Sequence, residues 1–253
     1  MYYSITILII ILILLVCCYY HYHYSNIVPS VFTENYIPKI IIQTWKDRDI
    51  PAKYLPLIDN IKKHNPEYEY LFFTDNDILS FMKQHYPDYI KTYEKLPIKI
   101  QKIDFFRYIA VYHYGGIYMD LDMDGITNMD DILQYKAAFP VDEYITDRLS
   151  HHKRYKYYYN NNQKFLLGQY AFAAEPKNEF VKLLIDNIHN NIHTIVKSVN
   201  HNDEEYVFKT TGPDYVSKVY MDYANKSTIH ILDNGKRQYF GDYAQHRHFG
   251  SWK

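Results

Sequence analysis

The spacing of apolar and polar residues predicts a mixed α/β chain built around one central stretch. From Ile100 to Val111, apolar residues recur at three- and four-residue steps without Pro or Gly, which indicates a helix. Gly115-Gly116 follows and ends this helix, because Gly takes a positive φ without penalty. From Ile117 to Asp122 the pattern alternates, which predicts a strand with Asp120 and Asp122 on one face.

Other apolar segments predict the rest of a sheet and its flanking helices. The runs 37–45 and 68–74 are rich in β-branched and aromatic residues and indicate buried strands. Helices are predicted for the segments 50–64, 75–85, 86–97 and 178–199. Asp75 and Asp77 are interpreted as caps of the second of these helices. Thr210 to Pro213 is interpreted as a turn that leads into a further helix.

The first 20 residues form a predicted transmembrane anchor. The run from Tyr2 to Tyr20 carries no charge, and ~20 apolar helical residues span a bilayer. The alternative, a cleaved signal peptide, requires a basic start and a small-residue cleavage site, and neither is visible. Residues 21–36 are polar and aperiodic and are predicted to form a short stem, so residues 37–253 constitute one predicted domain.

Composition narrows the class of function. The net charge of −1 provides no basic surface of the kind that nucleic-acid binding requires. Both cysteines, Cys17 and Cys18, fall in the apolar run, so the domain has neither a disulfide framework nor a thiolate zinc site. The 30 tyrosines are spread along the chain, which favours genome composition as their cause over a functional one.

Two pairs of charged residues carry the candidate chemistry. Asp120 and Asp122 offer oxygen ligands suited to a hard divalent cation such as Mg²⁺ or Mn²⁺. Asp104 and Arg107 share one face of the preceding helix at i and i+3. An Asp-x-Asp sequence alone also occurs in solvated turns, so the whole string of helix, glycine stop, strand and paired acids is the more specific signal.

That string resembles the glycosyltransferase family of the yeast-type initiating α-1,6-mannosyltransferase and of bacterial capsular sugar transferases. It is also similar, more distantly, to the glucosylating domains of clostridial toxins. The resemblance implies a GT-A type α/β domain with a Rossmann-like central mixed sheet flanked by helices. It further implies a single-pass, type II membrane protein whose catalytic domain is luminal or extracytoplasmic.

The resemblance also implies the residues of the site. Asp104, Arg107, Asp120 and Asp122 correspond to catalytic positions, and Asp120 and Asp122 would hold Mn²⁺ or Mg²⁺ with His246, or alternatively His248, as third ligand. The residues implied in donor binding are Trp45, Asp104, Arg107, Tyr118, Gly212, Ser251 and Trp252. Trp45, just beyond the first strand, is placed where a base could stack, although a plain core role stays open.

The expected reaction is metal-dependent transfer of a hexose with retained configuration from a nucleotide sugar to a glycan or glycolipid. Mannose from GDP-mannose is favoured, and a UDP-hexose is the alternative donor. A membrane-anchored sugar-binding module without turnover and a structural surface protein are the competing classes. The polar segment 142–163 is either an acceptor-binding or lid loop or a solvated insertion, and the residues do not decide between these.

Overall fold

The structure is a computed structural model that describes residues 35–199, 204–233 and 239–250. The predicted anchor, nearly all of the predicted stem, Ser251 and Trp252 lie outside these residues. Among the helices described, none is both long and apolar enough to cross a membrane.

A seven-stranded mixed sheet forms the centre of the domain. Its strands are β1 (Ile40–Thr44), β2 (Glu69–Phe73), β3 (Gly116–Met119), β5 (Ala137–Tyr144), β6 (Phe165–Leu167), β7 (Ala171–Ala174) and β8 (Ile229–Leu232). They run in the order β2-β1-β3-β7-β5-β6, and β8 also pairs with β5. The pairs β1–β2, β1–β3 and β5–β8 are parallel, whereas β7 is antiparallel to both of its neighbours. The expected mixed sheet is therefore confirmed.

Nine helices are described around this sheet. They are α1 (Leu55–His64), α2 (Asp75–His85), α3 (Pro87–Lys95), α4 (Lys99–Tyr114), α5 (Lys156–Asn160), α6 (Glu179–Asn190), α7 (Ile192–Lys197), α8 (Glu204–Thr210) and α9 (Pro213–Asp222). The central helix α4 is buried along most of its length by residues such as Phe105, Tyr108 and Ile109. Side chains on α4 are therefore held in fixed positions by the surrounding core.

Three predicted helices differ in detail. The helix predicted for 50–64 begins only at Leu55. The N-terminal cap of α2 is Thr74 rather than Asp75. The Thr74 hydroxyl accepts a hydrogen bond from the backbone amide of Asp77, and the Asp77 carboxylate accepts one from the backbone amide of Thr74. The predicted helix 178–199 is broken at Asn191, between α6 and α7. An Asn at the end of a helix competes for backbone hydrogen bonds, and here its side chain donates to the carbonyl of Asn187.

The glycine stop after α4 is confirmed and has a steric reason. Gly115 has a φ of 69° and Gly116 a φ of 93°, a region that side chains with Cβ disfavour. At Gly116 a Cβ atom would also lie 2.5 Å from the carbonyl oxygen of Ile40. The two glycines therefore let α4 turn sharply into β3, directly beside β1.

The strand that follows is shorter than predicted. β3 ends at Met119, so Asp120 and Leu121 belong to the turn before β4 (Met123–Gly125). Leu121 accordingly packs with Tyr54, Leu57 and Ile58 rather than with Ile117 and Met119. The predicted alternation thus fails at Leu121, and a turn rather than strand pleating brings Asp120 and Asp122 together.

A second, three-stranded antiparallel sheet brings distant parts of the chain together. It has the order β4-β10-β9, where β9 is Tyr239–Phe240 and β10 is Ala244–His246. His246 lies opposite Met123 in the β4–β10 ladder. This pairing places the segment after β10 beside Asp122.

The polar segment 142–163 is folded. It contains a 3-10 helix, Asp147–Leu149, and the short helix α5. Tyr158 packs with Ile145 and Leu166 in a small apolar cluster of its own. The segment is therefore an ordered insertion attached to the end of β5.

Candidate active site

A cavity of about 670 Å³ opens at the carboxyl ends of β1 and β3. Its wall includes Trp45 after β1, Asp120 and Asp122 after β3, and Asp104 and Arg107 of α4. Ligands of open α/β sheets collect at this edge. The structure thus unites both predicted charged pairs in one cavity.

Arg107 is the centre of the buried charge network. Its side chain is only 2% exposed, and Nη2 lies 3.1 Å from the Oδ1 atoms of both Asp104 and Asp120. Nη1 donates to the carbonyl of Gln169 at 2.9 Å, and the guanidinium lies 4.6 Å from the ring of Tyr118. Its Nε is buried without a partner among the described residues. Arg107 therefore couples the helix pair to the acidic pair.

Asp104 is positioned by residues from three parts of the chain. The Thr211 hydroxyl donates to Oδ2 at 2.7 Å, and the Gln169 amide donates to Oδ1 at 3.3 Å. Burial raises the pKa of Asp104 to about 6, against the opposing effects of Arg107 and Thr211. At neutral pH the carboxyl is thus mainly ionised, although its burial away from water disfavours the charged form.

The three predicted metal ligands converge. One ligand atom from each of Asp120, Asp122 and His246 lies within 4.8 Å of the others. Ligands on opposite sides of an ion with bonds of about 2.0–2.6 Å lie about 4–5 Å apart, so the spacing fits a divalent cation. The His246 Nδ1 atom is buried without a partner among the described residues, which also fits a ligating role for this side chain. His248 lies next to it, with the two rings 4.1 Å apart, but falls outside this cluster.

The segment after β10 holds Asp122 in place. Asp122 Oδ1 lies 3.2 Å from Nε2 of His246, and Oδ2 accepts from the amide of Phe249 at 2.9 Å. Burial acts to raise the pKa of Asp122, but these contacts outweigh it and the pKa is lowered. For Asp120, burial outweighs Arg107 and the pKa is raised. The two carboxylates are therefore electrostatically unequal.

The remaining predicted donor residues fall into three groups. Trp45 and Gly212 line the cavity. Tyr118 is fully buried behind it, and its hydroxyl donates to Asp120 Oδ1 at 2.9 Å. Ser251 and Trp252 lie outside the described residues.

Several neighbours of the site carried no distinctive signal in the sequence. Gln169 and Thr211 orient Asp104 through hydrogen bonds to its two carboxylate oxygens. Asp142, near the end of β5, and Arg154, in the insertion that follows, also line the cavity. Sequence reasoning named neither, because an Asp and an Arg within a polar connection look like solvated residues.

The sequence match covers the part of the chain that builds this acidic edge. Residues 51–139 match the family described as the glycosyltransferase sugar-binding region containing a DXD motif. The expected family is therefore confirmed, and Asp120 and Asp122 lie within the matched region.

Proteins similar in sequence to this chain include named mannosyltransferases. Inositol phosphoceramide mannosyltransferase 1 of Schizosaccharomyces pombe is 31% identical over 192 residues, which cover 74% of this chain and 52% of the relative. The initiation-specific alpha-1,6-mannosyltransferase of Candida albicans is 35% identical over 101 residues, or 37% of this chain and 26% of the relative. The chain thus spans about half the length of the first relative and about a quarter of the second.

A solved structure resembles the fold of this chain. The PaToxG glycosyltransferase superposes with a TM-score of 0.51 at 18% identity, covering 74% of this chain and 69% of that chain. At this identity the likeness concerns the fold alone. The expected glycosyltransferase-type α/β fold is confirmed to that extent.

Proposed function

We propose that the chain is a metal-dependent, retaining hexosyltransferase that transfers mannose from GDP-mannose to a glycan or glycolipid. The observation that carries this proposal is the convergence of Asp120, Asp122 and His246 beside the Asp104–Arg107 pair in one cavity. The mannosyltransferase names of relatives support the choice of sugar.

Asp120, Asp122 and His246 would hold the cation. Two carboxylates with one imidazole suit Mn²⁺ better than Mg²⁺, which prefers oxygen ligands. A cation bound there would offset the charge of the departing nucleoside diphosphate. Asp122 is the ligand most readily kept ionised, since its pKa is lowered.

Asp104 and Arg107 would bind hydroxyls of the donor sugar. Both side chains are buried and fixed by several contacts, so they lose little freedom when a sugar binds to them. Fixing the sugar relative to the acceptor lowers the barrier to transfer by positioning. We assign no enzyme nucleophile, and retention would follow from attack of the acceptor hydroxyl on the donor face that the nucleoside diphosphate leaves.

The protein is proposed to act at a membrane, through the N-terminal anchor predicted for residues 1–20. Names of relatives that act on inositol phosphoceramide, a lipid, are compatible with such an acceptor. A luminal or extracytoplasmic domain is part of the same proposal.

A donor panel tests the proposed activity. The full-length chain is incubated with GDP-mannose, UDP-glucose, UDP-galactose or UDP-N-acetylglucosamine, each with Mn²⁺ or EDTA, and the released nucleoside diphosphate is measured. We expect release from GDP-mannose only with metal. Asp122→Asn should weaken Mn²⁺ binding by at least about 100-fold, since even groups that merely orient a ligand contribute roughly 10–100-fold.

The matched control is Asp131→Asn, which removes an exposed acid outside the cavity and should leave release unchanged. If nucleoside diphosphate is released only from a UDP-sugar, the proposed donor is wrong and the proposed enzyme class is kept. Full activity of Asp122→Asn, or no release together with no thermal stabilisation by any donor and metal, would contradict the proposal and favour a binding module.

A further inference from the structure

A second Asp–Arg pair lines the same cavity and is not explained by donor binding. Asp142 lies near the end of β5 and Arg154 lies in the insertion that follows it. Arg154 Nη2 is 3.9 Å from Asp142 Oδ2, and the two side chains remain 15% and 23% exposed. Both are therefore accessible to a ligand that enters the cavity.

Arg154 is held rigidly by a buried partner. Its Nε and Nη2 atoms donate to Asp214 Oδ2 at 2.8 and 2.7 Å, and the Asp214 side chain is only 1% exposed. The Tyr158 hydroxyl donates to the backbone carbonyl of Asp214 at 2.7 Å, which ties the insertion to α9. A guanidinium fixed in this way loses little freedom when it binds a ligand.

The surroundings of Arg154 combine polar and apolar surfaces. The guanidinium lies 4.7 Å from the ring centre of Phe208, and Phe208 and Pro213 also line the cavity. A carboxylate accepts hydrogen bonds from hydroxyl groups, whereas a guanidinium donates to them. An adjacent apolar surface suits the C–H face of a saturated ring.

The charge of this cluster favours an uncharged ligand. Two carboxylates, Asp142 and Asp214, face one guanidinium, so an additional phosphate would meet net negative charge. Burial raises the pKa of Asp142 to about 6, which leaves it mainly ionised at neutral pH. Arg154 opposes this rise, whereas Asp214 and Glu143 add to it.

On the basis of the proposed function, we propose that Asp142 and Arg154 form the acceptor subsite and bind hydroxyls of an uncharged sugar or cyclitol ring. The cavity then contains two hydroxyl-binding Asp–Arg pairs, Asp104–Arg107 for the donor sugar and Asp142–Arg154 for the acceptor. The insertion supplies half of the second pair.

Ligand-observed NMR by saturation transfer tests the subsite without any need for turnover. The probes are methyl α-mannoside, myo-inositol and myo-inositol 1-phosphate, added to the full-length chain with Mg²⁺ in a detergent that carries no sugar group. We expect the neutral rings to bind and Asp142→Asn to weaken this binding about tenfold or more, as for a lost hydrogen bond to a charged group. The control Glu143→Gln changes the exposed neighbouring acid and should bind as the unmodified chain does.

Arg154 provides a second test. Arg154→Met should weaken the same binding, whereas Lys153→Met, an exposed neighbour in the insertion, should not. Because Arg154→Met also leaves the buried Asp214 without its partner, thermal unfolding is measured for each variant and Asp142→Asn remains the primary variant. With GDP-mannose and Mn²⁺, Asp142→Asn should also raise the KM of the acceptor about tenfold or more.

The possible results separate the two proposals. Three results would each overturn the proposed subsite. Asp142→Asn could bind the neutral rings as well as the unmodified chain does, the unmodified chain could bind neither neutral ring, or it could bind myo-inositol 1-phosphate more tightly than the neutral rings. Binding that is lost in Asp104→Asn but kept in Asp142→Asn would place the ring in the donor part and overturn it as well. If the unmodified chain consumes no donor, the proposed function fails, but the NMR comparison still decides whether Asp142 binds neutral rings.

Discussion

The buried Asp104 carboxyl should make the stability of the fold depend on pH. Burial raises its pKa from 3.8 to about 6, although Arg107 and Thr211 act in the opposite direction. A shift of one pKa unit corresponds to about 1.4 kcal/mol, so this rise corresponds to about 3 kcal/mol. Because the folded state binds the proton more tightly, this contribution is fully present below the unfolded pKa and is lost as pH rises through about 6.

Comparison with Asp104→Asn isolates this effect from other carboxyl groups. Urea unfolding, followed by tryptophan fluorescence at pH 7 and pH 4.5, should show the unmodified chain gaining about 2 kcal/mol relative to the variant as pH falls. Asp59→Asn, which changes an exposed acid, should follow the unmodified chain at both values. If the free energy of unfolding of the unmodified chain and that of Asp104→Asn change with pH by the same amount, Asp104 does not have a raised pKa in the folded state.

Three further substitutions test the scaffold of the site by thermal and urea unfolding. Arg107→Lys should cost about 3 kcal/mol or more, because a lysine cannot replace the guanidinium contacts to two buried carboxylates; an unchanged midpoint would argue against that network. Gly116→Ala should destabilise the fold far more than Gly241→Ala. The new Cβ at Gly116 would lie 2.5 Å from a backbone oxygen, whereas that at Gly241 would lie 3.3 Å from a side chain. Equal effects would show that the structure relaxes around the Gly116 clash. Thr74→Ala should cost about 1 kcal/mol by removing the cap of α2, and no loss would indicate that water replaces it.

The centre of the site was predictable because its signals are local. Helical spacing fixes Asp104 and Arg107 on one face of α4, and the two glycines fix the turn into β3. The site residues on α4 and after β3 therefore meet at one sheet edge by geometry that a short stretch already specifies. The N-terminal anchor, which lies outside the described residues, remains a prediction.

Features that depend on contacts between residues far apart in the chain could not be predicted from the local sequence pattern. The end of β3 at Met119 follows from the turn at 120–122, and Leu121 turns toward a different apolar cluster. The ion pairs of Arg154 join the insertion to α9 and to β5 across large sequence separations. Arg247, directly after β10, pairs with Asp124 of β4, which lies more than a hundred residues earlier in the chain.

The pairing of β10 with β4 makes the proposed metal site sensitive to the number of residues before His246 as well as to residue identity. His246 lies opposite Met123, with Gln245 before it and Arg247 after it. A shift of one residue would reverse the faces of the strand and offer Gln245 or Arg247 in place of the imidazole. Among descendants of this sequence, the spacing between Phe240 and His246 should therefore stay constant while the side chains of that turn vary.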